Sequence, residues 1–261
     1  NLLSGAEPAG QLSGQICHME IPADVARIID TLEQAGFEAF AVGGCVRDTI
    51  LGRTPGDWDI TTSARPAQVK ALFRRTVDTG IQHGTVTVLL GKEGYEVTTY
   101  RIDGEYRDGR HPEAVAFTAS LKEDLARRDF TINAMAYSPK TGIIDVFGGM
   151  EDLERRVIRC VGSARERFGE DALRILRAVR FSAQLGFAID PETEEAIREM
   201  AERLELISRE RIQMELDKLL CSANPGYFRK VYELGITAVV MPEFDRAMET
   251  LQRNAYHDLS V

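Results

Sequence analysis

No apolar run in the 261-residue chain approaches the roughly 20 residues that a membrane-spanning helix requires. The opening NLLSGAEPAGQLSGQ has neither a basic start nor an apolar stretch of signal-peptide length, so the expected location is the cytoplasm. Cysteine is scarce and scattered: Cys17, Cys45, Cys160 and Cys221 form no CxxC pair and have no histidine at zinc-finger spacing. Reduced, mostly buried thiols are therefore expected, not disulfides or zinc. Positive charge is in deficit as well. With 32 Lys and Arg against 41 Asp and Glu, the net charge of −9 excludes a protein that coats nucleic acid by bulk charge, though it leaves room for a local basic track. There is no internal repeat, no low-complexity tract and only one tryptophan, Trp58. What remains is 44% hydrophobic and 28% charged, ordinary for a chain that buries a real core, and its length favours one large or two small domains.

The periodicities divide the chain. IPADVARIIDTLEQAGF carries Val25, Ile28, Ile29 and Leu32 at helical spacing, with Pro22 at its start and Gly36 placed to terminate it. Short β-type runs follow (EAFAV, DWDITT, GTVTVLL, YEVTTYR, AVAFTA), interrupted by helices near 45–51 and 66–74. Beyond about residue 120 the strand signal fades apart from IIDVF and VIRCV. Three long helical patterns take over, SARERFGEDALRILRAVRFSAQLG, DPETEEAIREMAERLEL and SRERIQMELDKLLCS, each opening on Ser or Asp at the N-cap position. The expectation is an α+β fold: a leader at 1–20, a mixed α/β head over 21–145, a helical segment over 146–222, and a further helical region over 223–261 that looks truncated.

The densest chemistry lies in AVGGCVRDTILGRTPGDWDITT. Strand alternation places Asp57 and Asp59 on one face about 6.6 Å apart, with Trp58 and Ile60 turned to the core. Two carboxylates at that spacing suit magnesium, which takes hard oxygen ligands and keeps room for substrate phosphates. Glu96, at the start of a strand whose same face carries Thr98 and Tyr100, is the expected third carboxylate. Gly43 and Gly44 sit between a strand and a helix, where backbone N–H groups can approach a phosphate, and Arg47 adds a charged fork. D-x-D or Gly-Gly alone is weak, and each has a bland alternative as a solvated strand edge or a tight turn. Their combination within about 16 residues is not explained by packing.

Arginines cluster twice more. DLARRDFTINAMAY sets Arg127, Arg128, Asp129 and Asn133 beside Phe130, Ile132, Met135 and Tyr137, which read alone is an amphipathic helix with an exposed polar face. GEDALRILRAVRF spaces Asp171, Arg174, Arg177 and Arg180 at threes, a row that winds round a helix axis because three residues turn it by about 300°. An ordinary salt-bridged helix accounts for that spacing. So does a ligand lying across the helix, with arginines on phosphates and Asp171 with Arg174 on a base. A carboxylate accepts from the amino group of cytosine or adenine while an arginine donates to the adjacent ring acceptor.

Taken in order, AVGGCVRDTILGRTPGDWDITT, HGTVTVLL…YEVTTYRIDGEYRDGRHPEAV, DLARRDFTINAMAY and GEDALRILRAVRF resemble the class II tRNA nucleotidyltransferases, the bacterial CCA-adding enzymes and their poly(A) polymerase relatives, over residues 22 to 222. The resemblance implies a polymerase-beta-like nucleotidyltransferase head followed by a helical neck and body. It implies that Asp57 and Asp59 hold two Mg2+ ions with Glu96 in support, that Gly44 and Arg47 contact the triphosphate with Gly43 in the same turn, and that Arg128, Asp129 and Asn133 lie along phosphates and ribose. Asp171 and Arg174 would read the base edge, with Arg177 and Arg180 nearby. The implied partners are CTP, ATP and the 3′ end of tRNA. The loop IDGEYRDGRHPEAV resembles the flexible loop of full CCA-adding enzymes, and so favours CCA addition over A-adding, CC-adding or poly(A)-polymerizing relatives. A catalytically inactive RNA-binding module is the alternative of another class. Trp58 departs from the family, whose pattern has a smaller apolar residue there. RNAYHDLSV resembles the lead-in to an HD-type metal domain without its second half, so His257 and Asp258 receive no role.

Overall fold

The structure, a computed structural model, describes residues 18–103 and 115–258. The loop at 104–114, on which the CCA-versus-CC expectation rests, and most of the leader lie outside the described residues. In chain order the first elements are α1 (Ala23–Gln34), β1 (Ala39–Val42), α2 (Gly44–Ile50), β2 (Asp59–Thr62), α3 (Pro66–Leu72), β3 (Thr76–Gly80), β4 (Thr85–Leu90), β5 (Glu93–Thr99), β6 (Arg101–Asp103) and β7 (Val115–Phe117). They are followed by α4 (Leu121–Ala126), β8 (Met135–Ser138), β9 (Gly142–Asp145) and α5 (Gly149–Arg155). The remainder comprises β10 (Val157–Ile158), α6 (Ala164–Glu170), α7 (Leu173–Leu185), β11 (Ala188–Ile189), α8 (Pro191–Met200), α9 (Arg209–Leu220), α10 (Phe228–Glu233), α11 (Ile236–Val240) and α12 (Pro242–Asp258). The described residues form two compact units, the first running to Arg155 and the second from Arg156 onward.

The first unit is built on a seven-stranded mixed sheet ordered β3-β4-β5-β2-β1-β8-β9. Only β2 and β5 pair in parallel; the other neighbours are antiparallel. Phe40 and Val42 share one face of β1 and pack with Tyr100, Leu125 and Ala136, while Leu121, Ile144 and Phe147 close the cluster. α1 forms because its apolar residues recur every three to four positions. Val25, Ile28, Ile29 and Leu32 are fully buried, each contributing about 1.5–3 kcal/mol by leaving water. The helix stops at Ala35, and Gly36, at φ +91°, takes the left-handed turn that a glycine accepts without strain.

Central to the second unit is α7, which buries Leu173, Ile175, Leu176, Ala178, Val179, Phe181, Ala183 and Leu185 and so has little surface left for solvent. Asp190 caps α8 by accepting from the Thr193 N–H at 3.2 Å, and Ser163 and Ser208 cap α6 and α9 in the same way. Two long helical patterns are interrupted. α6 and α7 are separate helices because Asp171 takes an extended conformation (φ −146°, ψ 108°) and its carboxylate accepts the Leu173 N–H at 3.1 Å. α8 gives way to a 3-10 turn over Ala201–Leu206. Residues 124–137 are not one amphipathic helix either: α4 ends at Ala126, a 3-10 turn covers Thr131–Asn133, and β8 begins at Met135. Phe130, Ile132, Ala134, Met135 and Ala136 are all at 0% exposure, so the segment is buried on every side and its apolar spacing reports burial, not a helical stripe.

Candidate active site

The sheet register sets the geometry of the carboxylates. Asp59 opens β2 and stands opposite Val42, the last residue of β1, on one side and Glu96 of β5 on the other. The strand starts at Asp59, so Asp57 and Trp58 lie in the approach to it and not within it. Exposure still alternates, with Asp57 and Asp59 open to solvent and Ile60 buried. Trp58 is only half-buried, so Ile60 and not the tryptophan supplies the core anchor. Glu96 sits in the middle of β5 and not at its start. Thr98 shares its face, whereas Tyr100 lies past the strand, buried, with its hydroxyl donating to Glu38 at 3.2 Å.

Partial desolvation lifts the Asp59 carboxyl above its ordinary range; Glu96 and Asp57 push the same way and Arg128 opposes them. Because Asp59 keeps solvent contact, water screens part of this repulsion. A divalent cation is the natural counter-charge for such a set. Among the described residues no three Asp, Glu, His or Cys side chains converge as a ready-made cage. Asp57 and Asp59 instead offer a pair of hard oxygen donors, the complement that suits magnesium when phosphates and water complete its shell. In donor chemistry the residues fit the ion.

The turn after β1 explains its glycines. Gly43 adopts φ +85°, ψ −138°, a region open essentially to glycine alone. Its N–H donates to the Met135 carbonyl at 3.2 Å, so this amide is committed to the sheet and not available to a phosphate. Gly44 begins α2, and a Cβ there would lie 3.3 Å from Arg47 Nη2, tighter than side chains ordinarily pack. Arg47, 8% exposed, donates from Nη1 to Asn133 Oδ1 at 2.5 Å and from Nε to Asp48 at 3.0 Å. Asn133 in turn donates to Asp129 Oδ1 at 3.4 Å, and that oxygen also accepts the Phe130 N–H at 2.7 Å. Arg128 Nη1 lies 3.7 Å from where a Gly43 Cβ would be. Gly43, Gly44, Arg47, Asp57, Asp59, Glu96, Arg128, Asp129 and Asn133, scattered over 91 positions from 43 to 133, thus belong to one neighbourhood of the first unit.

Asp171, Arg174, Arg177 and Arg180 belong to the second unit. The Asp171 carboxylate accepts from Arg211 Nη2 at 3.1 Å, while Arg174 Nη1 donates to Glu170 at 2.6 Å and to the Arg167 carbonyl at 3.1 Å. Asp171 and Arg174, expected to read a base together, are thus each held by a partner of their own, Arg211 and Glu170. Arg180, 7% exposed, forms an ion pair with the equally buried Glu215 of α9 and stacks 4.2 Å from the Phe181 ring. Arg177 stands 4.0 Å from Glu215 and 5.3 Å from the same ring. Arg180 is thus a buried tie between α7 and α9 and not an open cation.

Sequence reasoning missed several residues that hold these groups. Asp124, fully buried in α4, accepts from Arg128 Nη2 at 3.2 Å and Thr61 Oγ1 at 3.0 Å. Asp152 accepts a short hydrogen bond from the Thr131 hydroxyl, and a Cβ on Gly149 would collide with the Thr131 carbonyl, so α5 docks closely against the turn before Asn133. Arg211 and Glu215 do the equivalent work in the second unit. The only signal for any of them is a carboxylate at i−4 from an arginine, as with Asp124 and Arg128, a pattern too common to single out.

The sheet, the paired acids and the glycine turn define a nucleotidyltransferase head, and the chain belongs to the family built on it: the family model described as "Poly A polymerase head domain" matches residues 39–159, and one described as "Probable RNA and SrmB- binding site of polymerase A" matches residues 186–248. Proteins of this family generally use divalent metal ions. Among individual relatives, the chain is 57% identical over 198 residues to the CCA-adding enzyme of Lactiplantibacillus plantarum, covering 76% of this chain and 49% of that protein. It is 55% identical over 201 residues to that of Leuconostoc mesenteroides, covering 77% and 50%. The crystal structure of the Bacillus stearothermophilus CCA-adding enzyme in complex with CTP superposes with a TM-score of 0.78 at 48% identity, covering 85% of this chain and 54% of that one. The Thermotoga maritima CCA-adding enzyme complexed with tRNA gives 0.72 at 27% identity, covering 93% and 59%. The chain spans about half the length of the curated relatives it matches.

Proposed function

We propose that this chain performs template-independent nucleotide addition of the CCA-adding kind, extending the 3′ end of tRNA with C and A from CTP and ATP in the cytoplasm, with two magnesium ions as cofactor. The observation that carries the reading is Asp59 standing between Val42 and Glu96 in the sheet, with the Gly43 turn and Arg128 beside it. Asp57 and Asp59 hold the metal and Glu96 flanks it. The bound ions supply charge neutralisation at the triphosphate and make the RNA hydroxyl a better nucleophile. Gly43 shapes the turn, Gly44 and Arg47 face the triphosphate, and Arg128, Asp129 and Asn133 lie along phosphates and ribose. These groups orient the nucleotide and oppose the charge that develops on phosphate oxygens, which is most of what such a reaction needs from a protein.

Base choice falls to the second unit. Asp171 accepts from the amino group of cytosine or adenine, and Arg174 donates to the neighbouring ring acceptor. Guanine and uracil present the opposite pattern and leave groups unpaired at a cost of about 1–3 kcal/mol each. Arg211 and Glu170 hold the two readers, and Arg177 and Arg180, tied to Glu215, lie further along the same helix. The reading is tested with tRNA ending before, within and after the two cytidines, offered CTP or ATP alone. C on the first two and A only after CC is expected; A on every end would make the protein a poly(A)-type relative instead. No helix among the described residues is long and apolar enough to cross a membrane.

A further inference from the structure

The first unit holds a carboxylate that this reading does not use. Asp124 is 0% exposed, and its two oxygens receive Thr61 Oγ1 at 3.0 Å, the Arg101 N–H at 3.0 Å and Arg128 Nη2 at 3.2 Å, with Arg127 Nε at 3.6 Å. A buried carboxylate needs such partners to offset the water it has lost. Two of the donors tie it to the sheet. Thr61 lies two residues past Asp59 on β2, and Arg101 follows β5, the strand of Glu96. Arg128 is the partner that faces the site: Nη1 approaches the Gly43 turn, its charge acts on Asp59, and its Nε is buried without a hydrogen-bond partner.

Asp124 thus holds the guanidinium by an ion pair at 3.2 Å within the core, while Asp59, at the solvent-facing side, feels its charge from beyond ion-pair distance. An arginine drawn onto Asp59 would take up oxygen donors that a divalent ion needs. The Asp124 contact is the less screened of the two because water is excluded from it. We propose that Asp124 is a positioning residue that holds Arg128 off Asp59 and directed at the turn after β1, leaving Asp59 available to metal and Arg128 available to the triphosphate. The inference rests on the nucleotidyltransferase reading above.

The test is calorimetric titration of CTP with magnesium, without RNA, into the unaltered chain, Asp124→Asn, Arg128→Ala and the double variant. Each single change is expected to weaken CTP binding by roughly 10–100-fold, the range seen when a group that orients a ligand-binding residue is lost. The double variant should bind no worse than Arg128→Ala, because Asp124 acts through Arg128. The magnesium concentration that supports half-maximal binding should rise in Asp124→Asn and not rise in Arg128→Ala, since only the former leaves an arginine to settle on Asp59; a purely structural role would not separate them. Unchanged CTP binding by Asp124→Asn, or losses that add in the double variant, would overturn the proposal. Should Asp124→Asn not fold, Thr61→Val removes one donor and keeps the carboxylate. A smaller loss that vanishes in the Arg128→Ala background supports the proposal, and an additive one overturns it. Absence of CTP binding by the unaltered chain would defeat the functional reading, and this inference with it.

Discussion

The ionised Asp59 carboxylate carries a penalty in the metal-free protein because folding takes it partly out of water and sets it beside Glu96 and Asp57. A carboxyl whose folded pKa is raised favours the folded state only when protonated. The ionised group at neutral pH is therefore a net cost, and that cost disappears below the ordinary aspartate range. Metal-free Asp59→Asn is accordingly expected to melt at a higher temperature than the unaltered chain at pH 7, with the gap closing as the pH falls through that range; a lower melting temperature at pH 7 would contradict the geometry. Cys45 is shifted in the same direction at the alkaline end. Burial pushes its thiol from 9.0 up to about 11, and its Sγ donates to the Val42 carbonyl at 3.3 Å. Iodoacetamide at pH 8 should label the exposed Cys221 first and reach Cys45 only on unfolding, as peptide mass mapping would show. The stability linked to Cys45 should fall as the pH rises from about 9 to about 11, because the unfolded thiol ionises first. At this scale the acids were legible from alternation alone, since exposure follows Asp57, Asp59 and Ile60 even where hydrogen bonding does not. Asp124 was not, because two of its partners lie on β2 and after β5, and its local pairing with Arg128 is too common a pattern to single it out.

Elements show where local signals suffice and where they mislead. α1 and the turn at Gly36 were readable because an amphipathic stripe and its terminator are local. The separation of α6 from α7 was not, because Gly169 lies within the last turn of α6 and no glycine or proline stands at the break itself; the break is made by Asp171, stabilised by Arg211 from α9, forty residues on. Gly43 and Glu215 give the sharpest tests. Gly43→Ala forces an L side chain into a glycine-only conformation, which should lower stability by about 1–3 kcal/mol in urea titration, with the loss arising from backbone strain since a Cβ would meet nothing closer than 3.7 Å. Glu215→Ala removes the buried carboxylate that pairs with Arg180 between α7 and α9, a change expected to cost about 3–5 kcal/mol by chemical denaturation. Replacing both partners by apolar residues should recover most of that loss.

Across the whole molecule, an acidic chain gathers the charge proposed for its site in two places: carboxylates and two arginines around the end of β1 and the start of β2, in the middle of the sheet, and a second set of paired arginines in the helical unit. This arrangement suits a protein that selects a nucleotide by chemistry and not one that attracts nucleic acid by bulk charge. The head was legible because the glycine turn, the acid pair and the short strand runs lie close in sequence. The pairing of Asp59 with Glu96 was only inferable, since a parallel β2–β5 contact depends on topology that no local pattern reports. The central claim is that Asp59 belongs to the reaction centre of a CCA-adding activity. It is tested most directly by supplying tRNA that lacks its terminal CCA with CTP and ATP, or with GTP and UTP, to the unaltered chain and to folded Asp59→Ala. The unaltered chain is expected to add C, C and then A and to incorporate no G or U, and the variant to add nothing; near-normal addition by Asp59→Ala would place the reaction centre elsewhere.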